Sequence, residues 1–171
     1  GIGQGYMLAT PLQLASATAT LAMRGERYRP HLLRGRRREA QADFESLAPM
    51  PLEGIALRES AFWDYMTEAM AHAVHAPNGT AFHTVGKHLP YRMAGKTGTA
   101  QVIGLAEGET YDADKLARHL LDHALCIAYA PLHDPRIAVA VIVENGGSGS
   151  AVAAPIAREI IDFFLQGRLS T

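Results

Sequence analysis

Two consecutive apolar runs, Asp122 to Tyr129 and Ile137 to Glu144, constrain the fold of this chain more than any other feature. The second contains Ile137-Ala138-Val139-Ala140-Val141-Ile142-Val143, apolar at every position, so it lacks the alternation of a half-exposed strand. Strands of that kind have to be buried on both faces. The connection Ala130-Pro131-Leu132-His133-Asp134-Pro135-Arg136 is too short for a crossover, which predicts an antiparallel hairpin. Three segments can supply the cover. Thr10 can cap a helix with Pro11 at its first position, followed by Leu12, Leu14, Ala15, Ala17, Ala19, Leu21 and Ala22, with Gly25 as its stop. Ser60 can cap a second helix to about Ala76, in which Phe62, Trp63, Met66, Met70, Ala73 and Val74 recur at helical spacing and are expected in the core. Ala151 to Leu165 forms the last helix, with Ile156, Ile160, Ile161, Phe163 and Phe164 to bury. The expected fold class is α+β, an antiparallel sheet covered by helices on both faces.

Between these elements the signals are weaker. Tyr28 to Leu33 looks extended, Arg34 to Glu39 is a charge run suited to a solvated loop or turn, and Gln41 to Arg58 reads as an irregular loop around Pro49 and Pro51. Pro77-Asn78-Gly79 stops the second helix, and the polar stretch Gly104 to Arg118 suggests a mobile loop over or beside a site. With 171 residues, 48% hydrophobic and 19% charged, the chain is globular and of single-domain size. A net charge of −1 offers no argument for nucleic acid or an anionic membrane surface, and no stretch approaches a membrane span.

The chemistry concentrates in Met93-Ala94-Gly95-Lys96-Thr97-Gly98-Thr99-Ala100. On a strand about Arg92 to Val102, this run places one cation, two hydroxyls and a residue without a side chain. A cleft-edge strand can lay its backbone beside an extended peptide. Lys96 offers a compact positive charge to a carboxylate, Thr97 and Thr99 offer hydroxyl donors, and Gly98 leaves room for close approach. Lys-Thr-Gly is also one of three motifs of serine-acylating penicillin-binding proteins and class A β-lactamases. Gly95-Lys96-Thr97 matches the end of a phosphate-binding loop as well, but Pro90 stands where that motif needs its first glycine. The residues that follow suit a strand, not a helix.

Other clusters carry less. His72 and His75 are three apart, and His119 and His123 four apart, but the latter pair lacks the glutamate of H-E-x-x-H, and no third ligand joins either. No metal or cofactor is expected. Cys126 lies in an apolar run and reads as an inert core thiol. Gly146-Gly147-Ser148-Gly149-Ser150 could accept an anion at a helix start, though a flexible strand-to-helix turn is the plainer use.

Several blocks together resemble class B penicillin-binding proteins of the penicillin-binding protein 2 type. Gly1-Ile2-Gly3-Gln4-Gly5-Tyr6-Met7-Leu8-Ala9-Thr10-Pro11-Leu12-Gln13-Leu14-Ala15 is similar to the stretch after their second catalytic motif. Pro77-Asn78-Gly79-Thr80-Ala81 resembles their glycine turn, and Ala94-Gly95-Lys96-Thr97-Gly98-Thr99-Ala100-Gln101-Val102 their third motif in full. Asp122-His123-Ala124-Leu125 through Ala128-Tyr129-Ala130-Pro131, then Val143-Glu144-Asn145-Gly146-Gly147, resembles their closing hairpin, and Ala153-Ala154-Pro155-Ile156-Ala157 their last helix.

The resemblance implies a β-lactamase/transpeptidase-like fold and a peptidoglycan D,D-transpeptidase on the periplasmic side of a bacterial inner membrane, working beside a membrane glycosyltransferase of cell elongation. It implies that Lys96, Thr97 and Thr99 hold the terminal carboxylate of a D-Ala-D-Ala stem peptide or of a β-lactam, and that the Thr99 N–H is an oxyanion donor. Gly1 to Gly5 and the glycine turn are expected to be structural. The family also needs Ser-x-x-Lys and Ser-x-Asn. Lys87, Lys96 and Lys115 follow Thr84, Met93 and Asp112 at that spacing, and Asn78 and Asn145 follow Ala76 and Val143, so neither motif is present. Residues 1–171 are therefore expected to be the C-terminal portion of a transpeptidase domain, inactive alone, with apolar surface exposed where a missing N-terminal portion would cover the sheet. Alternatives are a non-catalytic interaction module or fold remnant, and a piece of a β-lactamase or D,D-carboxypeptidase.

Overall fold

A computed structural model describes residues 7–39, 43–104 and 116–167. In chain order the elements are helix α1 (Pro11–Ala22), the two-residue strands β1 (Arg27–Tyr28), β2 (Gly35–Arg36), β3 (Glu45–Ser46) and β4 (Pro51–Leu52), helix α2 (Ala61–His75), strands β5 (Ala94–Ala100), β6 (His123–Ala130) and β7 (Ile137–Val143), and helix α3 (Ala154–Gln166). The Gly1 to Gly5 block and most of the loop expected from Gly104 to Arg118 lie outside the described residues.

The two apolar runs form the antiparallel hairpin β6–β7, and β5 adds to its other side in a three-stranded sheet of order β5-β6-β7. Residues directly opposite one another share a face. Cys126 opposite Val141 and Ala128 opposite Val139 therefore point the same way, and they pack with Ala154, Ala157 and Ile161 of α3. Tyr129 and Ala138 point the other way, with Ala94, and meet Met70 and Ala71 of α2 and Leu21 and Ala22 of α1. The sheet is thus covered by helices on both faces, as its composition demands.

The helix starts are set locally. Thr10 Oγ1 accepts from the Gln13 N–H at 3.2 Å while Gln13 Oε1 accepts from the Thr10 N–H at 2.8 Å, a reciprocal cap on α1. The helix ends at Ala22, and Gly25 helps to close it as expected: its N–H donates to the Thr20 carbonyl at 2.9 Å, next to Arg24 at φ +54°. Gly25 itself has φ +98°, and a Cβ there would lie 2.2 Å from the Ile55 carbonyl oxygen. At Ser60 the helix begins where expected, but the serine side chain makes no capping bond.

Which faces are buried departs from the apolar pattern. α2 buries Trp63, Met70, Ala71 and Val74 and leaves Phe62 and Met66 more than two-fifths exposed. On α3 only Ile161 among the expected large residues is buried, with Ala154, Ala157 and Asp162. Ile156, Ile160, Phe163 and Phe164 remain 39–58% exposed. Alanines let α3 sit close to the sheet, so the contact stripe is narrow and the bulky neighbours fall outside it. α1 turns Thr18 and Thr20 inward, each donating to the carbonyl four residues back, while Leu12 stays outside. Two strands of the segment expected to be irregular, β3 and β4, pair antiparallel with β2 and β1, so part of the charge run at Gly35–Arg36 is strand. Extension beyond Tyr28 is not continued as a strand.

Candidate functional site

Gly95-Lys96-Thr97 runs along β5 and opens no helix, which removes the phosphate-loop alternative. Among the described residues β5 pairs only with β6, so it is an edge strand. Lys96 stands opposite Ile127 and Gly98 opposite Leu125, while Thr97 and Thr99 stand opposite Cys126 and Ala124. The four expected site residues therefore divide between the two faces, and the strand edge is what they share.

Lys96 is exposed and its Nζ donates to the carbonyl oxygen of Thr97. It lines an open groove of about 530 Å³ together with Leu21, Met66, Ala73, Ile127 and Thr80. A largely apolar lining that also holds the Lys96 cation, the Thr80 hydroxyl, His72 and Asn78 suits an amphiphilic ligand carrying an acid. A larger cavity of about 720 Å³ lies between α1, Trp63 and the β1–β4 pair, but Arg27 is its sole charged lining group and no part of β5 reaches it. Of the two, only the smaller groove is lined by a residue of the Lys96–Thr99 run.

Thr97 is 9% exposed, and its Oγ1 lies 3.1 Å from Thr80 Oγ1. Thr99 is exposed near the end of the strand. At Gly98 an added Cβ would meet only Leu125 Cβ, at 3.5 Å, an ordinary contact. Packing among the described residues does not demand glycine there, which leaves room for close approach by a ligand.

The glycine-rich segment after β7 is not the flexible turn expected. Gly149 is buried, and a Cβ on it would lie 2.2 Å from the Gly98 carbonyl oxygen and 2.6 Å from that of Leu125. Ser148 Oγ accepts from the Ala151 N–H at 3.3 Å, so the start of the π turn Gly149–Ala153 is capped from within the chain. Gly79 is similarly tight: its Cβ would meet the His72 and Ala73 carbonyl oxygens at 2.4 and 2.6 Å, folding the turn onto the end of α2.

Several supports were not visible in the motifs. Asp122 is 6% exposed, and its side chain accepts from the Val102 N–H at 3.4 Å while its carbonyl accepts from the Gly147 N–H at 2.8 Å. Asn145, at φ +52°, donates through Nδ2 to the carbonyls of His119 and Leu121. His123 Nδ1 accepts from the Asn145 N–H at 2.9 Å. Among the described residues no three His, Cys, Asp or Glu side chains cluster as metal ligands. Cys126 is buried, and burial pushes its thiol up to about 11, against a smaller downward pull from the Lys96 charge. Such a thiol is inert at neutral pH. Lys87 lies in a 3₁₀ turn, Gly86–His88, with Thr84 just before it, and neither lines the groove.

His75 anchors the approach to β5, because its Nε2 accepts from the Met93 N–H at 3.0 Å. Partial burial and then the nearby Arg92 charge hold this imidazole below its ordinary value. A histidine depressed by folding binds protons more readily in the unfolded chain. Its contribution is therefore whole above about pH 6.5 and is lost as pH falls below that. His75→Gln keeps an acceptor that does not titrate. Melting curves from pH 7.5 to 5 should show a steeper acid loss of Tm in the wild type than in this variant, and parallel curves would remove the assignment.

Residues 1–162 match the family described as the Penicillin binding protein transpeptidase domain. The peptidoglycan D,D-transpeptidase MrdA of Haemophilus influenzae is 42% identical over 169 residues, covering 99% of this chain and 26% of that protein. The chain thus spans about a quarter of the length of the curated relatives it matches. A crystal structure of Pseudomonas aeruginosa PBP2 in complex with WCK 5153 superposes with a TM-score of 0.76 at 43% identity, over 99% of this chain and 33% of that one. A ceftriaxone acyl-enzyme of penicillin-binding protein A from Mycobacterium tuberculosis gives 0.74 at 32% identity, over 96% and 34%.

Proposed function

From the premise that this chain belongs to the penicillin-binding protein transpeptidase family, with PBP2-type relatives, we propose that it supplies the carboxylate-gripping strand of a peptidoglycan D,D-transpeptidase. The observation that carries this reading is a sheet-edge strand bearing Lys96, Thr97, Gly98 and Thr99 beside an apolar groove. A stem peptide ending in D-Ala-D-Ala lies extended along β5, its backbone adding to the open strand edge. Its terminal carboxylate meets the Lys96 ammonium and the threonine hydroxyls, and a β-lactam carboxylate takes the same place. The Thr99 N–H supplies one oxyanion donor, a contribution of about 10²–10³ in rate where such donors have been removed.

The nucleophilic serine, with its lysine, comes from a portion of the protein outside residues 1–171. These residues form the C-terminal portion of the transpeptidase domain and are inactive without that portion. The groove at Lys96 is lined in part by the exposed Met66 of α2. No described helix is long and apolar enough to cross a membrane, so the proposed inner-membrane anchor also lies elsewhere in the protein. The site faces the periplasm, and a membrane glycosyltransferase of cell elongation is the proposed partner.

The test uses the purified full-length protein and a fluorescent penicillin. Covalent labelling should be suppressed by a peptide ending in free D-Ala-D-Ala, and much less by its C-terminal amide. Absence of labelling, or equal competition by acid and amide, would contradict carboxylate recognition.

A further inference from the structure

Thr80 lies in the turn that follows α2, and its position is fixed from both sides. Gly79 is pressed onto the carbonyls of His72 and Ala73, so it cannot shift toward the helix. The Gly79 N–H donates to the Ala76 carbonyl at 2.8 Å and the Ala81 N–H to the Ala73 carbonyl at 2.9 Å. The exposed Thr80 hydroxyl is thereby held 3.1 Å from the buried Thr97 hydroxyl, seventeen residues further along the chain. Each hydroxyl has one proton and two lone pairs, and in a pair only one proton lies between the oxygens. If Thr97 donated to Thr80, it would face a carboxylate with lone pairs alone. If Thr80 donates, the Thr97 proton is free for the ligand, and water satisfies the lone pairs of the exposed Thr80. Both threonines are β-branched and stiff at χ1, so the two oxygens are held at this spacing at little entropic cost, and only the hydroxyl rotors choose the donor.

We infer that Thr80 is a positioning residue for acid recognition: its hydroxyl donates to Thr97 Oγ1 and so aims the Thr97 proton at the carboxylate of the bound stem peptide or β-lactam. This inference rests on the proposed function. The chain Thr80 to Thr97 to carboxylate polarises along its length, which strengthens the last bond most. A role confined to satisfying the buried Thr97 oxygen would instead affect stability, and would be indifferent to the charge of the ligand.

The experiment uses full-length protein carrying Thr80→Val, which is nearly isosteric, and Thr80→Ser, which restores the hydroxyl. Acylation by a penicillin and by its methyl ester is followed by competition against a fluorescent penicillin, with initial binding and the acylation step resolved. In Thr80→Val, acylation by the acid should fall about 3–10-fold, mainly through weaker binding, because one hydrogen bond to the carboxylate is misdirected. The ester should be unaffected, Tm should be unchanged, and Thr80→Ser should recover most of the loss. An equal fall for acid and ester, failure of serine to rescue, or wild-type behaviour of Thr80→Val would each overturn the inference. Lys96→Ala separates the two levels. Unchanged acylation in that variant defeats the proposed function itself, whereas loss there beside wild-type behaviour in Thr80→Val defeats only the role of Thr80.

Discussion

In full-length protein carrying Lys96→Ala, acylation by a fluorescent penicillin is expected to fall by about 10–150-fold, the equivalent of a charged hydrogen bond of about 1.5–3 kcal/mol. The reason lies in where the ammonium stands. Lys96 is exposed and lines the groove, and its Nζ rests on the carbonyl of the adjacent Thr97. Lys96 is an exposed side chain and no member of the buried core, so its removal takes away a surface contact and no core packing. Tm should therefore change little while acylation collapses. Lys96→Arg should recover only part of the activity, since a planar fork of donors does not replace a compact point charge. Full labelling of Lys96→Ala would show that the strand does not grip the acid.

Gly149→Ala should produce the opposite signature, a loss of stability that carries the site with it. The new Cβ would sit 2.2 Å from the Gly98 carbonyl oxygen and 2.6 Å from that of Leu125, both backbone atoms within paired strands. Neither can rotate away as a flexible side chain could. Overpacking of this kind costs about 1–3 kcal/mol, and Tm falls by about 2–4 °C for each kcal/mol in a unit of this size. The movement is delivered to Gly98 and Thr99, so acylation should fall as well. Gly98→Ala provides the contrast. Its Cβ meets only Leu125 Cβ at an ordinary 3.5 Å, so Tm should hold while acylation drops because the ligand is kept away. Differential scanning fluorimetry beside penicillin labelling separates the two glycines. A Gly149→Ala protein as stable as wild type would mean that the π turn does not brace β5.

The hairpin β6–β7 was legible because uninterrupted apolar strands admit few solutions, and two-sided cover followed from the same fact. The start of α1 was legible because Thr10, Pro11 and Gln13 are a local signal needing nothing from elsewhere in the chain. Burial on α2 and α3 was not, because periodicity shows that a face is apolar but not how wide a stripe the sheet touches. Ile161 is buried and Phe163 is not, for a reason that resides in the alanines beside the sheet. The β1–β4 and β2–β3 pairs are two residues long, too short for a period-two pattern to register.

Lys96 to Thr99 were legible as a strand because the run around them is β-branched and bounded by glycines. Their division between two faces follows from the pleat, and their common edge follows only from the sheet order. Thr80 could not be found from local pattern, because its partner lies across a turn whose path is set by Gly79 against α2. The tight packing of Gly149 is hidden from local pattern for a similar reason: a glycine needed for close approach and one needed for freedom look alike in a sequence.

The most direct measurement is a crystal structure of the full-length protein soaked with a carboxylate-bearing β-lactam. The ligand acid should lie within hydrogen-bonding distance of Lys96 Nζ and the Thr97 hydroxyl, with the acyl oxygen turned toward the Thr99 N–H. A ligand bound to its serine with the acid directed away from β5, and Lys96 pointing into solvent, would contradict the account.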